Sequence, residues 1–66
     1  MSVVKVIEVI AESKKSWDDA AVNAIKEASK SVKNIRSIYV ENMEAKVDKN
    51  KIIKYRINAK ISFVVK

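Results

Sequence analysis

A row of basic side chains in the last third of the chain is the strongest candidate for chemistry in this sequence. Lys54, Arg56 and Lys60 occupy even positions, so on an extended strand they share one face. A basic row of this kind can bind a phosphate or another anion, and the formal net charge of +6 favours the same class of ligand. The chain has no Gly-rich loop, and no aromatic residue shares this face of the strand with the basic ones. We therefore expect an acidic small molecule as partner, and not a nucleic acid.

Oxygen-bearing side chains occur in short pairs that could contribute to a cation site. The pairs are Asp18 with Asp19, Glu41 with Glu44, and Asp48 with Asn50. Ca²⁺ takes about six to eight oxygens, and each pair supplies only a few of them. We interpret the first pair as helix-start charges, the second as salt-bridge partners and the third as turn residues. If copies of the chain assemble, symmetry could still bring pairs together, so a cation site stays open with no assigned residues.

The absence of Cys and His excludes the commonest catalytic and metal chemistry. Thiolate nucleophiles, disulfides and the usual zinc sites are ruled out, and no side chain has an ordinary pKa near neutrality. An enzyme would need a strongly shifted Lys or carboxylate, and no motif indicates one. We predict a protein that is not an enzyme. No apolar run approaches the roughly 18 residues of a membrane span, and no signal peptide is recognisable, so we expect a cytoplasmic protein without a membrane partner.

The basic row belongs to a long predicted strand. Between Lys51 and Val65 the odd positions from Ile53 onward are apolar and most even positions are polar, a period of two that is typical of a strand with one buried face. At about 3.3 Å per residue the strand reaches on the order of 45 Å, far longer than usual. Sixty-six residues cannot cover such a strand, so we expect a homo-oligomer.

The remaining pattern predicts two more strands and one helix in a single domain, residues 1–66. Residues 3–10 are rich in β-branched side chains, and Ser16 is a suitable N-cap for a helix that should run to about Lys33. The apolar stripe of this helix consists of Ala21, Ala24, Ile25, Ala28 and Val32, with Ala20 beside it. Residues 35–47 are predicted to form a second strand, whose apolar residues occupy both odd and even positions. A turn at 48–50 is expected to follow, where Asn50 can take positive φ. The class is α+β, with order β-α-β-β and an antiparallel sheet of order 1-3-2.

Several segments in this order resemble the dodecin family. They are Lys5–Ile10, the helix start Ser16–Ala21, Asn34–Arg36, and Tyr55–Ile57 with Lys60–Phe63. The resemblance implies a protomer whose long curved sheet partly wraps its helix, assembled as a hollow homo-dodecamer of cubic 23 symmetry. Many members of the family bind flavins in pairs at two-fold axes, for storage or quenching and without turnover.

Two positions depart from the flavin-binding members. The stacking Trp of those members is replaced by Ser37, and the Gln that bonds the flavin ring edge is replaced by Arg56. Loss of a stacking platform costs about 1 to 3 kcal/mol per ring, so binding of FMN or riboflavin should be weak. Ser37, Arg56 and the nearby ring of Tyr39 are the candidate ligand residues. The positive net charge of the chain also suits coenzyme A as a ligand. The alternative to a ligand-storing shell is a flavin-free structural or calcium-binding dodecin.

Two further residues carry open interpretations. Trp17, at the helix start, is expected to pack or to contact another copy. Arg56 either contacts a ligand or forms an ion pair between copies, with Glu41 or Glu44 as the expected partner.

Overall fold

The computed structural model describes residues 3–65. The elements are β1 (Val3–Ser13), α1 (Trp17–Ala28), β2 (Ile35–Asp48) and β3 (Lys51–Val65). The strands form an antiparallel sheet of order β1-β3-β2, so β3 is central. The predicted α+β class, element order and sheet order are confirmed, and β3 has the bounds that its alternation predicted.

The core lies where the helix crosses the centre of β3. Ile57, Ala59 and Ile61 are at most 1% exposed and point to the same face of the strand. The helix contributes the small side chains of Ala20 and Ala24, which allow its axis to lie close to the sheet. The odd positions in the middle of β3 are therefore buried, as the pattern predicted, whereas Ile53 and Val65 nearer its ends are 44% and 40% exposed.

The helix begins as predicted and ends earlier. Ser16 is the N-cap, in extended conformation, and its Oγ accepts a hydrogen bond of 2.9 Å from the backbone N–H of Asp19. The helix ends at Ala28, so the predicted end near Lys33 is wrong. Serines 29 and 31 are poor helix formers, and the last turn tightens through a 3.0 Å bond from the Ser31 N–H to the Ala28 carbonyl. Asn34 then takes φ of 62° where the chain turns into β2.

Strand β1 extends beyond the predicted end at residue 10, as far as Ser13. Ser13 is 7% exposed and lies opposite Tyr55. Its Oγ donates to Asp19 Oδ2 at 2.6 Å and accepts from the Lys15 N–H at 2.9 Å. These bonds hold the end of the strand against the helix start, and no alternation of residue types reveals them.

Irregularities in the β2 register explain the split parity of its apolar residues. The register shifts between Ile35 and Ser37, between Val40 and Asn42, and between Lys46 and Val47. Each added residue moves the following side chains to the other face. Ile38 and Val40 consequently pack on the core from even positions.

The hairpin between β2 and β3 closes with Lys49 and Asn50 at φ values of 52° and 65°. Two consecutive positive values are typical of a type I′ turn, which matches the twist of the flanking strands. The predicted positive φ at Asn50 is confirmed.

The described protomer is elongated, with extents of 52 × 20 × 13 Å. It leaves eleven large apolar side chains exposed: Val3, Val4, Val6, Ile10, Val22, Tyr39, Met43, Val47, Ile52, Ile53 and Val65. Exposed apolar surface on this scale in so small a chain is typical of a subunit of an assembly. Within residues 3–65 no helix is long and apolar enough to cross a membrane.

Candidate functional site

The face of the sheet opposite the helix, here called the outer face, carries the polar chemistry of the chain. It consists of the even positions of β3 with their neighbours on β1 and β2, because alternate side chains point to opposite faces. Four rows cross the sheet: Glu12–Arg56–Glu44, Ile10–Asn58–Asn42, Glu8–Lys60–Tyr39 and Val6–Ser62–Ser37.

Arg56 is held by carboxylates from both neighbouring strands. Its Nε and Nη2 donate to Glu12 Oε2 at 2.9 and 2.7 Å, and its Nη1 donates to Glu44 Oε1 at 3.4 Å. Lys54 Nζ also lies 3.6 Å from Glu12 Oε1. Glu44 was a predicted partner of Arg56, and the structure places this ion pair within one chain. Glu12 was missed because the sequence placed the end of β1 at residue 10, before this position.

The ion pairs shift the ionisation of their members in the expected directions. The hydrogen bond from Arg56 is the main cause that lowers the pKa of Glu12; desolvation opposes it, and the nearby charges of Lys54 and Arg56 lower the pKa further. The same bond to Glu12 raises the pKa of Arg56 above its ordinary value. Glu12 and Arg56 therefore both stay ionised near neutral pH.

Lys60 forms a second ion pair four residues along β3. Its Nζ lies 3.1 Å from Glu41 Oε1, and the hydrogen bond with Glu41 raises the pKa of Lys60. The predicted basic row is thus real as a shared face, but Glu12, Glu41 and Glu44 neutralise much of its charge. A surface neutralised in this way is a poor site for the nonspecific binding of polyanions.

The three predicted ligand residues share the outer face without forming one cluster. Ser37 hydrogen-bonds to Ser62, and Tyr39 lies opposite Lys60 with 66% of its surface exposed. Arg56 is four positions from Lys60, a separation of about 13 Å along the strand. Within one chain, Tyr39 and Arg56 therefore lie in different rows of this face.

Asn58 marks a different place on this face, which the sequence reading did not single out. A pocket of about 370 Å³ is lined by Ile10, Asn42, Met43, Glu44, Arg56 and Asn58. The Oδ1 of Asn58 is buried and, among the described residues, has no hydrogen-bond partner. Buried acceptors are nearly always paired, so this oxygen requires a donor or a cation from outside the protomer. The sequence signal that could have pointed to this place is an Asn between Arg56 and Lys60 on the polar face of β3.

The oxygen-bearing pairs have the structural roles expected of them. Asp18 and Asp19 lie in the first turn of the helix, and Glu41 and Glu44 pair with Lys60 and Arg56. Asp48 ends β2 and Asn50 lies in the turn. Throughout residues 3–65 no three acidic side chains gather into a metal-binding group.

Trp17 joins the helix start to the sheet. Its ring meets Tyr55 edge-on, with centroids 4.8 Å apart and planes at 77°. Its Nε1 donates to the Glu44 carbonyl at 3.0 Å. The predicted packing role is confirmed, and the contact fixes β2 and β3 beside the outer-face ion pairs.

Comparison with known proteins agrees with this geometry. The dodecin family model matches residues 3–66. The calcium dodecin of Mycobacterium tuberculosis is 43% identical over 63 residues, which are 96% of this chain and 89% of that protein.

Solved structures of dodecins also align with this chain. The crystal structure of the calcium-chelating antigen calcium dodecin of M. tuberculosis, described with a novel calcium-binding site, aligns with a TM-score of 0.83 at 39% identity over 97% of this chain and 91% of that one. The dodecin from Streptomyces davaonensis aligns with a TM-score of 0.92 at 20% identity, over 98% and 96% of the two chains, and so shares the fold. The chain belongs to the dodecin family.

Proposed function

We propose that this chain forms a homo-oligomeric shell, a dodecamer as its family resemblance implies, that binds Ca²⁺ on the outer face of its sheet and does not bind flavin tightly. The observation that carries the proposal is the buried Asn58 Oδ1, which has no partner among the described residues, beside a pocket that Asn42 and Glu44 also line. The calcium dodecin of M. tuberculosis, 43% identical in the sequence match and 39% identical in the structural alignment, supports the same ligand.

The family sets the class of activity. Dodecins are small-ligand binding proteins that are not enzymes, and this chain is one of them. The question is therefore which ligand the outer face accepts.

The outer face is poorly equipped for a flavin. A hydroxyl stands at Ser37, where the flavin-binding members of the family have a stacking ring, and Arg56 is already bound by two carboxylates. The calcium-binding alternative thus has more support than the flavin ligand that the family suggests.

The same surface offers oxygens that suit Ca²⁺. Asn42, Asn58 and Glu44 line one pocket, and amide and carboxylate oxygens are ligands that Ca²⁺ prefers. Arg56 is the obstacle, because its positive charge lies in the same pocket. Its contacts with Glu12, at 2.7 and 2.9 Å, are much shorter than the 3.4 Å contact with Glu44. Ca²⁺ can therefore take Glu44 while Arg56 stays bound to Glu12.

One protomer cannot complete the coordination. The three side chains give fewer than the roughly six to eight oxygens that Ca²⁺ takes. Water or an adjoining copy must supply the rest, and in a symmetric shell every copy would then contribute equally to the sites. Binding at such a site stabilises the assembly, by about 2.7 kcal/mol when free Ca²⁺ is 100 times the Kd.

The test combines native mass spectrometry with calorimetric titration of Ca²⁺ into the assembled protein. Glu44→Gln and Asn58→Ala should each weaken Ca²⁺ binding about tenfold or more, equivalent to about 1.4 kcal/mol. Glu41→Gln is the matched control, since it removes an ion-paired carboxylate of the same strand outside the pocket. Riboflavin, FMN and coenzyme A are titrated in parallel. Tight binding of any of these, or equal Ca²⁺ affinity in all variants, would overturn the proposal.

A further inference from the structure

Two lysines stand directly opposite each other on the outer face, near the hairpin end of the sheet. Lys46 of β2 and Lys54 of β3 are partners in the strand register, so their Cβ atoms lie about 5 Å apart. Like charges in this arrangement destabilise a sheet. Local arrangements that lower stability are typical of binding sites, where a ligand relieves them.

The carboxylates nearby do not compensate this pair of lysines. Lys54 Nζ lies 3.6 Å from Glu12 Oε1, but Glu12 already accepts two shorter bonds from Arg56, at 2.7 and 2.9 Å. Glu44 also contacts Arg56, at 3.4 Å. In the described part of the chain, no carboxylate forms a salt bridge with Lys46. Arg56 therefore engages both carboxylates, and most of the positive charge of the two lysines is left without a partner.

Both lysines line one pocket of about 310 Å³, here called the lysine pocket. The other lining residues are Glu12, Glu44, Ala45 and Arg56. Five of the six lining residues are thus charged, three positively and two negatively. The volume is at the lower end of the range for small-ligand sites. A pocket of this size and charge suits one small anion.

Two further lysines strengthen the positive potential at this end of the sheet. Lys14 and Lys15 follow the end of β1, and together with Lys54 they line a neighbouring pocket of about 370 Å³. Within residues 3–65 neither of them forms a salt bridge. Asp19 also lines that pocket, but its carboxylate accepts a hydrogen bond of 2.6 Å from Ser13. Positive charges around a concave site raise the local concentration of anions.

We propose that the lysine pocket binds a phosphate dianion, either free or as the monoester group of a small molecule. Lysine ammonium groups donate charge-assisted hydrogen bonds to phosphate oxygens, and two opposed lysines contact one such ion from both sides. A dianion matches the two ammonium groups that lack a full partner. The inference goes beyond the proposed Ca²⁺ function and stands without it, because Asn42 and Asn58 line a different pocket.

Calorimetric titration of inorganic phosphate and of phenyl phosphate into the assembled protein tests the site. The buffer is free of Ca²⁺ and contains about 0.1 M salt, which screens distant charges. Lys46→Gln and Lys54→Gln should each weaken phosphate binding about tenfold. Lys33→Gln is the matched control, because it removes the same charge just before β2, whose first residue pairs with Phe63 at the other end of the sheet. Tighter binding of phenyl phosphate indicates a monoester ligand, and equal binding indicates free phosphate.

The like-charge pair also allows a measurement of stability. In phosphate-free buffer of low ionic strength, Lys46→Gln should raise the thermal midpoint of the assembly, because it removes the repulsion from Lys54. At saturating phosphate the order should reverse, because only the wild type keeps both donors to the bound ion. A lysine with a purely structural role would lower the midpoint in both buffers when it is replaced.

Three results would overturn the inference. Equal weakening by Lys33→Gln and Lys46→Gln would show a response to net charge alone. An assembled wild-type protein that binds neither phosphate compound would leave the pocket without this ligand. Salt-sensitive binding of a single-stranded oligonucleotide, without binding of phosphate, would assign the lysines to a nucleic acid. Ca²⁺ titration of the lysine variants in phosphate-free buffer separates these results from failure of the proposed function, because an unchanged Ca²⁺ affinity leaves that function standing.

Discussion

Replacing Ile57 by Ala should cost this protomer a large part of its stability. Ile57 and Ile61 are the largest fully buried side chains in the described part of the chain. The substitution removes three carbons, worth about 0.8 kcal/mol each in transfer free energy, and leaves a cavity that raises the usual cost to between about 2 and 5 kcal/mol. The neighbours Ala11 and Ala20 are too small to fill the space. We expect a loss of about 3 to 4 kcal/mol.

Equilibrium unfolding in guanidinium, followed by the fluorescence of the single Trp17, measures this loss. The titration is run at two protein concentrations, because assembly and folding are linked by mass action. Ile57→Val is the graded control and should cost only about 0.5 to 1.5 kcal/mol. A loss below about 1 kcal/mol for Ile57→Ala, or equal losses for both variants, would refute the conclusion that this small core stabilises the protomer.

Three shorter predictions concern the helix cap, the ion pairs and the ligand. Ser16→Ala removes the acceptor for the Asp19 N–H and should lower the free energy of unfolding by about 1 kcal/mol in urea titrations, whereas Ser16→Asp should retain it. Arg56 lowers the pKa of Glu12, so the stability from this ion pair is present above the ordinary pKa of 4.5 and is lost as pH falls through the lower pKa of the folded state. Thermal midpoints between pH 6 and 3 should therefore fall more steeply in the wild type than in Glu12→Gln. Parallel curves would contradict this expectation. Ser37→Trp combined with Arg56→Gln should increase riboflavin affinity about tenfold to a hundredfold in fluorescence-quenching titrations, and an unchanged affinity would show that the outer face excludes flavin for another reason.

Much of the fold was predictable because its strongest signals are local and periodic. The alternation from residue 51 to 65 gave the central strand and its buried face, and Ser16 with Asp19 gave the helix start. The turn at Asn50 followed from its tolerance of positive φ. These features depend on a side chain and its near neighbours in the chain, which the sequence displays directly.

The candidate site was less predictable because it depends on register. Glu12 and Glu44 meet Arg56 from different strands, 44 and 12 residues away along the chain. The bulges of β2 decide which of its side chains reach the outer face, and bulges leave no clear mark in a pattern of polar and apolar residues. The sequence could therefore name Arg56 and Glu44 as possible partners but could not place Glu12 or the unpaired Asn58 beside them.

The sequence by itself determined the element types, the sheet order, the resemblance to the dodecins and the need for further copies, because composition and periodicity control which surfaces must be buried. Only the tertiary structure decided that Arg56 is neutralised within its own chain, that Tyr39 lies apart from it, and that a buried Asn58 oxygen lacks a partner among the described residues. The physical reason is that a buried face follows from the types of residue along a single strand, which the sequence displays. An ion pair or a pocket depends instead on distances of a few ångströms between residues on different strands.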